Sequence, residues 1–138
     1  MAWKVIFALP LTAALIAQSG ETYKARLSAI AADARTRPQL AGLGSASAVL
    51  SGSKLTVTGS FDGLLSPATV AQLRAGVAAG TRGPVVQELT ISKAVSGMIS
   101  GSTDLTPQQI EALHKGGLYV QISSEKAPDG VLWGWLLR

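Results

Sequence analysis

The chain has 138 residues, 47% hydrophobic but only 5% aromatic, so one domain with a core of small aliphatic side chains is expected. It contains no cysteine, which excludes disulfides, thiolate metal sites and cysteine nucleophiles together. The formal net charge is +4, but the cations are scattered and not interleaved with aromatics, a pattern of a soluble surface rather than of a nucleic-acid footprint.

Residues 1–19 read as a signal peptide and 20–138 as the folded domain. Lys4 gives a short positive start, and Val5 to Ala17 form an apolar run interrupted only by Pro10 and Thr12. That run is shorter than the ~20 residues a membrane-spanning helix needs. Cleavage between Gln18 and Thr22 is expected, with an uncleaved anchor as the alternative and the only predicted link to a membrane. Either way the domain is extracytoplasmic, periplasmic or secreted.

Glu21 to Ile30 alternates, with Tyr23, Ala25, Leu27 and Ala29 on one face, and predicts a half-buried strand. The polar stretch Ala31 to Ala41 follows, with room for one helical turn before Pro38. Gly44–Leu50 and Lys54–Phe61 flank Ser51-Gly52-Ser53, a hairpin signal, with Leu55, Val57, Gly59 and Phe61 facing inward. Thr69 to Arg74 predicts a strand that sets Val70, Gln72 and Arg74 against Ala71 and Leu73. The glycine-containing loop from Gly76 to Pro84 lacks the Gly-Lys-Ser/Thr ending of a phosphate-binding loop and reads as a surface connection.

Pro84–Ile91 and Val95–Gly101 predict two further strands. Thr106-Pro107-Gln108-Gln109 is a helix start, with Thr106 as cap, Pro107 in the first turn and Gln109 completing a capping box; Leu105 and Ile110 are spaced for a hydrophobic staple. Gly116-Gly117 ends the helix. Leu118 to Ser123 alternates again, Pro128-Asp129-Gly130 turns the chain, and Val131 to Leu137 is apolar on both faces, which predicts a strand at the heart of a sandwich. The fold class expected is all-β, a Greek-key β-sandwich or barrel of immunoglobulin-like or superoxide-dismutase-like layout, with one short helix and a preceding signal helix.

The segments Thr56-Val-Thr-Gly-Ser-Phe61, Leu64-Leu-Ser-Pro-Ala-Thr69, Gly83-Pro-Val-Val86, Ile99-Ser-Gly101, Leu105-Thr106, Leu118-Tyr-Val-Gln-Ile122, Ala127-Pro-Asp-Gly130 and Gly134-Trp-Leu136 stand in the order and spacing of the chordin-type (CHRD) domain family. The chain resembles that family from about residue 22 to residue 137. The resemblance implies a Greek-key layout similar to copper/zinc superoxide dismutases and a domain without an assigned activity. Bacterial members mostly carry histidines where this chain has Gln72, Arg74 and Ser123. If the family binds a metal through those positions, this member is degenerate, since Arg74 is a fixed cation.

Other chemistry finds little footing. His114, the single histidine, is expected at the helix C-terminus, where the dipole favours it. No nucleophile elbow such as Gly-x-Ser-x-Gly appears, most carboxylates fall in turns or at strand edges, and no calcium loop is present. Trp133 and Trp135 lie on one face of one strand; an exposed platform for a sugar or partner is weighed against core burial of at least one ring, and burial is preferred. The expectation is an exported, non-catalytic module that binds an envelope or extracellular protein or glycan or plays a structural part, with no cofactor, no metal and no nucleic acid. The alternative is a metal-binding protein or enzyme distantly similar to copper/zinc superoxide dismutase, its site degenerate here.

Overall fold

The computed structural model describes residues 20–30 and 37–138. The signal segment 1–19 and the helical turn expected after Ala31 lie outside the described residues. Eight antiparallel strands follow in order: β1 (Glu21–Ala29), β2 (Leu43–Ser51), β3 (Lys54–Asp62), β4 (Ala68–Ala75), β5 (Val85–Ile91), β6 (Gly97–Asp104), β7 (Leu118–Ser124) and β8 (Leu132–Trp135). A 3₁₀ turn, Arg37–Gln39, precedes β2, and one helix, α1 (Pro107–His114), joins β6 to β7. Among these residues no helix is long and apolar enough to cross a membrane.

The strands close into a barrel in the order β1-β2-β3-β6-β5-β4-β7-β8. Of sandwich and barrel, both open from sequence, the chain takes the barrel, because two narrow seams join what would be separate sheets. At one seam β5 pairs with β6 through Thr90–Ser100 and Ile91–Ile99. At the other β1 pairs with β8 through Ser28–Trp133 and Ala29–Leu132, and a Lys24–Leu137 bridge extends it, with backbone bonds of 2.8 and 2.9 Å. Closure gives every strand a partner on both sides, though at the two seams only a few residues of each edge are paired.

Alternation then decides which side chains meet. Tyr23, Ala25, Leu27, Leu55, Val57, Phe61, Ala71, Leu73, Val120, Ile122, Leu132 and Leu136 all turn into one buried core. Ala29, expected inward with them, is exposed, because β1 leaves β2 after Leu27 and swings across to β8. The β2–β3 hairpin pairs Ser51 with Lys54 around Gly52 at φ 64°, a value L-residues avoid and glycine accepts.

The helix signals act as the sequence predicts. Thr106 Oγ1 accepts from Gln109 N at 3.2 Å while Thr106 N donates to Gln109 Oε1 at 2.9 Å, which closes the capping box. At the other end Gly116, at φ 78°, donates to Leu113 O and Gly117 donates to Ala112 O, a Schellman ending.

The last strand corrects the sequence reading. β8 is only four residues long, and its two faces are covered differently. Leu132 and Gly134 face the core. Trp133 and Trp135 project from the outer surface, where both are half-buried and neither is in the barrel core. A run apolar on both faces arises here because the outward tryptophans are covered by each other and by a loop, not by a second sheet.

Candidate functional site

The outer face of β4, β7 and β8 is a grid fixed by register. One row reads Arg74–Tyr119–Trp135 and the next Gln72–Gln121–Trp133, with Val70 beside Ser123. The period of two in each strand puts these residues on one side, and antiparallel pairing puts them opposite one another. Gln72, Arg74 and Ser123, the three positions the family resemblance singles out, therefore share a face and line one shallow depression with Thr69, Gln121 and Asp129.

Sharing a depression is not the same as converging. Ser123 pairs with Val70, four residues from Arg74 along β4. At ~3.3 Å per residue this separates Ser123 from Arg74 by about 13 Å along the strand. Gln121, directly across from Gln72, is the nearer neighbour. The alternation of Leu118 to Ser123 groups Gln121 with Tyr119 and Ser123 on one side of their strand but does not set it opposite Gln72, since alternation fixes a side chain's face and not its partner across the ladder.

Arg74 is already engaged. Its Nε donates to Gly83 O and its Nη1 to Gln72 Oε1, both at 2.8 Å. Tyr119 holds the same glycine: its hydroxyl accepts from Gly83 N at 3.0 Å and lies 3.3 Å from Gly83 O. A side chain at Gly83 would run into the Ala75 carbonyl, so only glycine lets the loop lie this close to β4. The 76–84 loop is thus pinned over the grid, and Arg82 stacks on Trp133 with its guanidinium carbon 4.5 Å from the ring centroid.

Beneath it the rings pack on one another. Tyr119 and Trp135 lie 4.7 Å apart at 30°, and Trp133 meets Trp135 at 4.8 Å and 63°. Mutually tilted rings make a small external cluster rather than a flat platform. The Trp135 Nε1 donor is buried there without a hydrogen-bond partner. On the polar side Gln121 and Ser123 are 6% and 9% exposed, sheltered by the β7–β8 turn, whose Asp129 carbonyl accepts from Gln121 Nε2 at 3.3 Å. Gln72, Gln121, Ser123 and Arg74 offer two amides, a hydroxyl and a tethered guanidinium, which hydrogen-bond but are not strong metal ligands; Thr69 and Asp129 also line the depression. Among the described residues no three His, Cys, Asp or Glu side chains stand together to hold a metal.

His114 lies elsewhere, at the end of α1, where the dipole favours it, but with a partner that sequence spacing hides. Its Nε2 is 3.0 Å from Glu21 Oε1, and Tyr23 OH donates to the same carboxylate. The Tyr23 bond, with a smaller contribution from His114, holds Glu21 below its usual range. Burial, then the bond to Glu21, pushes Tyr23 up to about 12.

No curated protein and no solved structure matches the chain. The family model for the CHRD domain matches residues 23–136, which takes in β2 to β8, all but the first two residues of β1, and the whole outer grid of β4, β7 and β8. A match of that extent makes this chain a member of the CHRD domain family.

Proposed function

We propose that this CHRD-domain protein is an exported, non-catalytic binding module that takes its partner, an envelope or extracellular protein or glycan, on the outer face of β4, β7 and β8. The observation that carries this reading is the grid itself: sheltered, uncharged hydrogen-bonding groups at Gln72, Gln121 and Ser123 beside half-buried aromatic rings, with Arg74 between them. Such a mixture suits recognition through hydrogen bonds and ring contact. It supplies no neighbouring acid–base pair for proton transfer. The strand order supports a Greek-key reading: β4, β5 and β6 are joined in sequence, and β3 and β7 lie beside β6 and β4.

Export rests on the positive start and short apolar run ahead of Glu21. Protein isolated from its native host is expected to show an intact mass that begins between Gln18 and Thr22; a chain starting at Met1 or Ala2 would mean a retained anchor. The binding face is tested by capture from the native envelope with wild type and with Thr69→Arg/Gln72→Arg, which fills the depression. A partner recovered by wild type and lost by the variant supports the assignment. The same set of partners recovered by both, with the variant's melting temperature unchanged, would sink it.

A further inference from the structure

A second surface lies on other strands of the barrel. The outward side chains of β1, β2, β3 and β6 form rows across four strands: Lys24–Ser47–Thr58–Ser100 and Arg26–Ser45–Ser60–Met98. Short hydroxyl side chains on β2 and β3 leave a floor between the long side chains of β1 and Met98 of β6, and these residues line one trough. The hollow is built from inside. The inward positions behind it are the buried Ala25, Ala46 and Ala48 and the half-buried Gly59. A Cβ at Gly59 would sit 2.5 Å from Ser45 O and 3.0 Å from Ala46 Cα, so β2 and β3 approach closely only because that residue is glycine. Past Arg26, Ser45 and Ser60 the trough continues along the strands to Leu43 and Asp62.

Three properties define what fits. Lys24 and Arg26 are exposed, and among the described residues neither joins an ion pair. Two residues apart on one strand, their charges repeat at ~6.7 Å along the trough wall. Asp62, at the far end, accepts from Gly63 N at 2.8 Å and, among the described residues, forms no ion pair with either. The floor is a field of hydroxyls, and no aromatic side chain of these four strands projects outward, Tyr23 and Phe61 being buried.

We infer that this trough binds a linear anionic polysaccharide, with Lys24 and Arg26 on its carboxylate or sulfate groups and Ser45, Ser47, Thr58 and Ser60 on its hydroxyls. Charge complementarity selects an anion, the open length selects a chain, and the hydroxyl floor selects a sugar. Single-stranded nucleic acid is disfavoured because its binding sites stack bases on aromatic side chains, which this face lacks.

The test measures binding of the purified protein to polygalacturonate, dextran sulfate, uncharged dextran and oligo(dT). Wild type is expected to bind one or both anionic polysaccharides, more weakly as salt rises, and to leave dextran and oligo(dT) unbound. Binding to polygalacturonate or to dextran sulfate separates a carboxylate from a sulfate ligand. Lys24→Glu/Arg26→Glu should weaken binding roughly tenfold or more. Lys93→Glu/Lys126→Glu, with the same change in net charge on exposed loops, should leave it intact. Lys24→Gln/Arg26→Gln serves if the charge reversal lowers the melting temperature. Equal loss in both pairs of variants, equal binding of oligo(dT), or no binding of either polyanion would overturn the assignment.

Discussion

Tyr23 shows how one side chain ties the barrel interior to a surface charge. Its ring is buried beside Ala25 and Leu27, yet its hydroxyl reaches Glu21, which His114 also meets. Because the folded-state pKa is raised from 10.0 to about 12, the native state holds this proton more tightly than the unfolded chain does. Its stabilising effect is therefore complete below about pH 10 and is lost as pH rises toward 12. Tyr23→Phe is expected to cost on the order of 1.5–3 kcal/mol at neutral pH, the worth of a hydrogen bond to a charged acceptor. The gap between the melting temperatures of wild type and Tyr23→Phe should shrink between pH 10 and 12. A gap that stays constant over that range would show that folding does not raise the Tyr23 pKa by burial and the bond to Glu21. At the acid end the sign reverses for Glu21: its contribution is present above the ordinary carboxylate pKa and fades as pH falls through its lowered value.

At the scale of elements, register decides which positions act together. Gln72 and Arg74 lie on one face of β4, and Gln121 stands directly across from Gln72 on β7. Side chains directly opposite are ~5 Å apart at Cβ and diagonal neighbours ~7–8 Å. Three imidazoles at 72, 74 and 121 can therefore surround a zinc ion at Zn–N distances near ~2.1 Å, while a set at 72, 74 and 123 is spread over too great a length. Gln72→His/Arg74→His/Gln121→His is expected to bind Zn²⁺ stoichiometrically in a calorimetric titration, and Gln72→His/Arg74→His/Ser123→His to bind it far more weakly. The reverse ranking, in variants that remain folded, would mean that the β4–β7 register differs from the one described. Each variant also removes the Arg74 link to Gly83, so the 76–84 loop should become more open to proteolysis in both.

For the whole molecule the closing seam is the sensitive line. β8 meets β1 over two residue pairs, and Gly134 sits where the strands cross. A Cβ there would strike the Arg26 carbonyl and come within 2.9 Å of Leu27 Cδ2. Gly134→Val is expected to destabilise the fold by roughly 1–3 kcal/mol or more, because backbone cannot yield as a flexible side chain can. Thermal or urea unfolding measures it, and an unchanged midpoint would mean that β8 does not close the barrel. The sequence marks Gly134 by its place between two tryptophans in a run apolar on both faces, where glycine permits a close approach, and the backbone that approaches is that of β1.

By itself the sequence determined what depends on neighbours along the chain. Alternation placed the strands, Gly52 the hairpin, and Thr106, Gln109 and Gly116 the helix ends, because these bonds close within a few residues. It also placed Gln72 and Arg74 on one face, since the period of a strand is local. Only the tertiary structure decided what depends on pairing between distant strands. Those outcomes are a barrel rather than a sandwich, Gln121 opposite Gln72, His114 on Glu21, and the tryptophans outside the core beneath Arg82. A strand's pattern specifies two faces but neither the neighbour on its edge nor what will cover its outer side, and in a closed barrel those two relations create every surface on which a partner can sit.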